Sequence, residues 1–364
     1  MLALRWHGRY ALRLDDVEFD RELSPGEIEV SVAFCGICGS DLAEYSAGPI
    51  AIRDGMHRLT GRRPPITLGH EFSGTVTATG PDVHEVRVGD RVAADATWRC
   101  QRCDACLTGN YNWCADGASI GLGSDGAMAE LVRFPAYCAV PLPRGVSDVA
   151  GALLEPLAVA LHALDRGAVR PGDTVAVLGF GPIGAAVAEV GSTLGSRVIV
   201  GEVSAQRAEK AKTFGYETFS TTGEPREVAR GVRKLTDGGV SVVIECSGAA
   251  AAIALAPELT RRGGRVVTVG LPKELVPMDV RRLLLYERSI VGALGYTYDL
   301  ARVATLIDIG RLTPERLVTK TVALADAAET IATLASKPGD DLKVLIQPPH
   351  RQAAQDSAAQ VGAS

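Results

Sequence analysis

No stretch of eighteen uncharged apolar residues occurs in this 364-residue chain, so no segment has the sequence form of a membrane-spanning helix. A surplus of positive charge is also missing. The 38 Lys and Arg face 43 Asp and Glu, for a net charge of −5, and no basic run builds a field for phosphate backbones or anionic lipid. Nucleic acid and membrane are therefore not expected partners. Arg5, His7 and Arg9 interrupt the apolar stretch that a secretory signal needs. Eight cysteines in a long chain without an export signal read as metal ligands and buried thiols in a reducing compartment, with the cytoplasm as the expected location. Internal repeats are absent, and the only low-complexity stretch is the polar, Ala-rich tail at 348–364, expected to be disordered.

What is present is enough apolar residue, 46%, to fill about two cores. From Glu27 to Phe34 apolar residues alternate, with Ile28, Val30, Val32 and Phe34 on one face, as in a half-buried strand. Short strands are also expected at 74–78, 90–93 and 129–134. After Glu155 the pattern changes to β-branched runs at 174–178, 197–201, 241–245, 265–269 and 289–292. Helical stretches at 182–194, 204–214 and 249–260 separate them, the sequence form of a parallel sheet flanked by helices. Two more helices, 300–309 and 326–337, precede a last strand at 342–346.

Cys100, Cys103, Cys106 and Cys114 are spaced Cys-x2-Cys-x2-Cys-x7-Cys, which suits four thiolates around one tetrahedral Zn²⁺. A site closed by four sulfurs leaves no position for substrate, so it reads as structural. Zinc chemistry, if any, needs other ligands.

Gly179-Phe180-Gly181-Pro182-Ile183-Gly184 follows one β-branched run and opens a helix, the context in which a glycine fingerprint binds a dinucleotide. Gly179 permits the turn, Gly181 lets backbone approach the pyrophosphate, and Gly184 allows close helix packing. Glu202 ends the next strand, where a carboxylate accepts hydrogen bonds from ribose hydroxyls and repels a 2′-phosphate, favouring NAD over NADP. Arg207 would meet a phosphate, pair with Glu202 or face solvent. Gly270, Leu271 and Leu294 follow strands at their carboxyl ends, where open α/β sheets bind ligands, and are candidates for nicotinamide and substrate contact.

Cys38-Gly39-Ser40-Asp41, Gly69-His70-Glu71, the cysteine knot, Glu155-Pro156-Leu157, the glycine loop and Val243–Gly248 occur in one order along nearly the whole chain. Together they resemble the zinc-containing medium-chain dehydrogenase/reductases, within that family the butanediol, sorbitol and threonine dehydrogenases. The resemblance implies an α/β protein. A GroES-like β catalytic domain would span 1–155 and be completed by 296–347, with a Rossmann doubly wound parallel sheet at 156–295. It also implies two zinc ions, NAD, a small alcohol, diol or ketone substrate, and a homodimer or homotetramer.

Carried onto this chain, the resemblance makes Cys38 and His70 ligands of a catalytic zinc and Glu71 a ligand or near-ligand. Glu155 would bind the metal or hold water beside it. Asp41 would orient His70, and Ser40 would take the substrate's proton. Cys246 would be a buried thiol beside the cofactor, Cys35 and Cys138 buried thiols only, and His162 a core or interdomain residue. Lys343 would lie on the pyrophosphate or stand exposed on an edge strand. Where the family usually places a histidine that passes the proton onward, this chain has Ala43, leaving water, Glu44 or His57 as substitutes. The Arg-rich stretch 46–65 reads as a lid over a polar substrate or as a solvated surface loop. An NADP-dependent carbonyl or enone reductase and a noncatalytic nucleotide-binding protein are the alternatives. The first would have no use for Cys38, His70 and Glu71.

Overall fold

The computed structural model describes residues 1–19, 22–337 and 339–349. Of the tail expected to be disordered, 350–364 lies outside the described residues.

The run Thr174–Leu178 explains how the second half of the chain is layered. Successive side chains of a strand point to opposite faces. Val175 and Val177 join one core with the helices Leu154–Arg166 and Pro182–Thr193, while Ala176 and Leu178 join another with Ala229, Val232, Leu255 and Leu259. Burial on both faces is what the unbroken β-branched run encodes. Six parallel strands result, in the order Glu217–Ser220, Arg197–Glu202, Thr174–Leu178, Val240–Glu245, Thr260–Thr268 and Ser289–Gly292. The order reverses between Thr174–Leu178 and Val240–Glu245, which makes the crevice at their carboxyl ends the topological switch point.

The first half builds a seven-stranded sheet around Glu27–Gly36, flanked by Glu71–Thr79, Leu131–Pro135 and, from the far end of the chain, Lys343–Gln347. Val318–Ala323 pairs in parallel with Lys343–Gln347. The alternation expected across Glu27 to Phe34 holds only to Val32. A bulge between Val32 and Phe34 shifts the register, so Cys35 joins Ile28, Val30 and Val32 in one core while Phe34 packs on the other. Bulges re-aim side chains, and this one lies just before Cys38. The core on which Phe34 packs spans both sheets, uniting Val175 and Val177 with Ala93, Val146, Tyr296 and Leu345.

The helices Pro225–Leu235 and Val280–Tyr286 are additions to the sequence expectation. The first buries Ala229 and Val232, and the second buries no residue. No helix among the described residues is long and apolar enough to cross a membrane.

Candidate active site

Cys38 caps the helix Gly39–Ala47, and Asp41 Oδ2 accepts a hydrogen bond from the Cys38 amide at 2.9 Å. His70 enters the neighbouring strand Glu71–Thr79. Together these elements bring Cys38, His70 and Glu71 to one spot, their ligand atoms all within 4.8 Å of one another. Ser40 Oγ lies 3.2 Å from His70 Nε2. On the other side of the ring, Nδ1 is 3.8 Å from Asp41 Oδ1, and both atoms are buried without a hydrogen-bond partner. Burial works against the charge on His70, but Asp41 and Cys38 outweigh it and raise its pKa well above the usual range. Burial likewise raises Asp41, with His70 opposing. A ring pressed toward a positive charge between a thiol and carboxylates fits a divalent cation, and one sulfur, one nitrogen and one oxygen donor suit zinc with a coordination position left open.

Glu71 is fully buried and is met by Lys343, whose Nζ lies 2.6 Å from Oε2, 2.8 Å from Oε1 and 3.3 Å from the Ile37 carbonyl. Lys343 is therefore not exposed on an edge strand, and it lines a small cavity with Pro182 of the glycine loop. It is 3% exposed, and its strand lies between Glu27–Gly36 and the edge strand Val318–Ala323. Burial opposes its charge, yet Glu71 holds its pKa above the ordinary value. Any Cβ on Gly36 would come within 2.2 Å of Glu71 Oε2, so glycine keeps room for this pair. Glu155, in the first turn of Leu154–Arg166, stands outside the three-residue cluster. Burial, opposed by His70 and aided by Glu71, pushes its carboxyl up to about 7, and Tyr296 hydrogen-bonds it.

The four knot cysteines also converge. Sγ of Cys103 and Cys106 are 3.6 Å apart and those of Cys100 and Cys106 are 3.9 Å apart, while a zinc tetrahedron with bonds of about 2.3 Å spaces its sulfurs about 3.8 Å apart. The Arg102 and Cys103 amides pull the Cys100 thiol down to about 6. All eight cysteines are free thiols.

At the switch point, Gly179 has φ +90°, and a Cβ on Gly184 would stand 1.8 Å from the Gly179 carbonyl oxygen. The space over Gly181 holds only the Arg207 guanidinium, at 4.0 Å from its ideal Cβ. Glu202 Oε2 accepts from the Phe180 amide at 2.7 Å, and Oε1 accepts from Val203 and Ser204 at 2.8 and 2.9 Å. Glu245, to which the sequence reading assigns no role, is its counterpart across the strand Thr174–Leu178. Fully buried, it accepts from the Ser247 and Gly248 amides at 2.8 and 3.1 Å. A carboxylate ending a buried β-branched strand is the signal that Glu202 and Glu245 share.

Residues 24–144 match the alcohol dehydrogenase GroES-like domain family and residues 182–309 the zinc-binding dehydrogenase family. The (R,R)-butanediol dehydrogenase of Bacillus subtilis is 33% identical over 351 residues, covering 96% of this chain and 100% of the relative. The chain belongs to the zinc-containing medium-chain dehydrogenases. The sorbitol dehydrogenase of Halalkalibacterium halodurans is 33% identical over 336 residues, covering 90% of this chain and 94% of the relative. The crystal structure of the Bacillus subtilis 2R,3R-butanediol dehydrogenase superposes with a TM-score of 0.88 at 32% identity, covering 96% of this chain and 99% of that one. A zinc-binding dehydrogenase of Sinorhizobium meliloti 1021 bound to NADP superposes with a TM-score of 0.84 at 30% identity, covering 95% and 99%. Such a chain is an alcohol dehydrogenase acting on CH–OH donors.

Several expected contacts take another form in this dehydrogenase. Arg207 does not pair with Glu202. Its Nε and Nη2 donate to the Gly339 carbonyl at 3.1 and 2.9 Å. The Phe180 ring is buried in the core and Ile183 packs against that core, so at these two positions the backbone, not the side chain, faces the loop. The Cys246 thiol packs against the same core, and burial raises its pKa. Neither relay substitute has a free side chain. Glu44 is buried and accepts from the Ile50, Ala51 and Ile52 amides, pinning the start of the 46–65 loop. His57 is buried with its Nδ1 on the Leu59 amide at 3.2 Å. His162 Nδ1 meets Asp299 at 3.3 Å, joining two helices. His7 is half-buried against Asp15.

Proposed function

We propose that this dehydrogenase oxidises a secondary alcohol or vicinal diol to its ketone, or runs the reverse, with NAD and a catalytic zinc. The cluster of Cys38, His70 and Glu71 beside Ser40 carries this reading. Zinc, when bound, supplies Lewis acidity to the substrate oxygen, and the nicotinamide carries the hydride. Cys38 and His70 hold the metal, with Glu71 as a third donor that Lys343 competes for. Asp41 fixes the orientation of the His70 ring, and Ser40 takes the proton from the substrate hydroxyl. Glu155 orders water at the open side of the site. Cys100, Cys103, Cys106 and Cys114 hold a second, structural zinc.

Glu202 selects NAD. A carboxylate offers about four acceptor positions, and three are engaged by backbone amides, which leaves room for one ribose hydroxyl and none for a 2′-phosphate. On the side of NADP stand the Arg207 guanidinium beside Gly181 and the NADP bound to the Sinorhizobium meliloti dehydrogenase. In this reading 1–155 with 296–347 forms the catalytic domain and 156–295 the cofactor domain. Exposed Leu275, Leu284 and Leu285 beside the edge strand Ser289–Gly292 support assembly as a homodimer or homotetramer. Eight reduced thiols suit the cytoplasm.

A screen of NAD⁺ and NADP⁺ reduction over small secondary alcohols, vicinal diols, polyols and amino alcohols, with zinc measured on the same sample, tests the proposal. Loss of activity on chelation and its return with Zn²⁺ is expected. Full activity with a single zinc per chain overturns it.

A further inference from the structure

The segment from Ala293 to Tyr298 leaves the six-stranded sheet after Gly292 and leads into the helix Asp299–Asp308. It begins at the carboxyl end of a strand parallel to the one that feeds the glycine loop, so Leu294 lies on the cofactor side of the sheet. The cysteine lobe grips this segment at two points, both within the seven residues between Cys106 and Cys114. Asn112 Nδ2 donates to the Leu294 carbonyl at 2.7 Å. Tyr111, 1% exposed, takes the Tyr298 amide on its hydroxyl at 2.6 Å and meets the Tyr298 ring edge-on with centroids 4.9 Å apart. Arg99, just ahead of Cys100, stacks over the Tyr111 ring at 4.0 Å and pairs with Asp95 at 3.1 Å. A third tie lies next to them, where the Tyr296 hydroxyl accepts from the Ala96 amide at 3.1 Å.

A lobe that only braced its own fold would have no need to fix a carbonyl across the cleft. We propose that Asn112 is a positioning residue for the cofactor. By holding the Leu294 carbonyl it sets the backbone that meets the nicotinamide end, and the four-cysteine lobe acts as a clamp on the segment crossing from one sheet to the other. This rests on the reading of the switch point as a nicotinamide dinucleotide site. The lobe thereby acquires a role in cofactor geometry without touching substrate. Removing the Asn112 amide frees the Leu294 carbonyl and leaves the glycine loop, Glu202 and the adenosine side intact.

The experiment compares binding of NADH, by fluorescence of the reduced nicotinamide, with binding of ADP-ribose, which lacks the nicotinamide, in the parent, Asn112→Ala and Tyr111→Phe. Loss of one or two hydrogen bonds predicts NADH affinity lower by roughly five- to thirtyfold in each variant, with ADP-ribose affinity within about twofold of the parent. Zinc content and the thermal midpoint are measured alongside, and Tyr111→Phe keeps the buried ring if Asn112→Ala does not fold. Equal weakening of both ligands, or parent-like NADH affinity in both variants, overturns the clamp. A parent that binds NADPH but not NADH overturns the choice of cofactor and leaves the clamp to be measured with NADPH.

Discussion

Lys343→Met removes the cation hydrogen-bonded to the Glu71 carboxylate. In the parent the two side chains are 4% and 0% exposed and 2.6 Å apart, so the variant leaves a buried carboxylate without its hydrogen-bonded cation. Removing one partner of a buried pair costs about 3–5 kcal/mol. The other route, taking up a proton, costs about 3.7 kcal/mol at pH 7 for a carboxyl of ordinary pKa about 4.3. Both limits place the loss near 3–4 kcal/mol. The sign with pH follows from linkage. A buried carboxyl that must be neutral contributes stability that is present below its unfolded pKa and lost as pH rises, so the gap to the parent narrows by about 1.4 kcal/mol per pH unit on acidification. Denaturant unfolding of metal-free parent and variant at pH 7 and 5.5 reads this directly. A second change, Glu71→Gln in the Lys343→Met background, recovers most of the loss, because it removes the stranded charge. A gap below about 1 kcal/mol at pH 7, or one that does not move with pH, refutes the reasoning.

Gly184→Ala drives a methyl group to within 1.8 Å of the Gly179 carbonyl, so a folded variant should lose NADH binding; parent-like affinity by nucleotide fluorescence would contradict that packing. Glu202→Ala removes the acceptor for three backbone amides and the group opposing a 2′-phosphate. Its NAD⁺ KM should rise at least tenfold, and the ratio of kcat/KM for NADP⁺ to that for NAD⁺ should rise with it. Ala43→His should shift the pH dependence of turnover by supplying a proton acceptor on the helix that already carries Ser40; superimposable profiles would show that the relay needs no such residue. Cys103→Ser should lower bound zinc by one equivalent per chain, read by metal analysis, with two retained equivalents as the contrary result.

The features legible in the sequence are those whose partners lie close along the chain. Four cysteines within fifteen residues, a glycine loop directly after its strand, and runs such as Thr174–Leu178, whose bounds agree with the structure, each write their constraint locally. The Glu71–Lys343 pair joins residues 272 positions apart, and the sequence around Lys343 reads equally well as an edge strand. The bulge after Val32 is invisible in the sequence because it replaces no residue type and alters only the register. Tyr111 and Asn112 are hidden by their neighbours, since between two cysteines of a metal knot they pass as filler. Their role depends on where Leu294 and Tyr298 return.

The return of the last strand to the first sheet has a consequence for how the protein is made. Lys343–Gln347 pairs with Cys35 and Gly36 on the strand that leads into Cys38, so one edge of that end of the strand stays open until almost the whole chain has been synthesised. At 5–20 residues per second, Lys343 emerges roughly 14–54 s after Glu71. Throughout that interval a buried carboxylate has no partner and a central strand has an open edge, while the parallel sheet between them, continuous in sequence, can already have closed. All six strands of the parallel sheet are thus made before the strand that completes the first sheet.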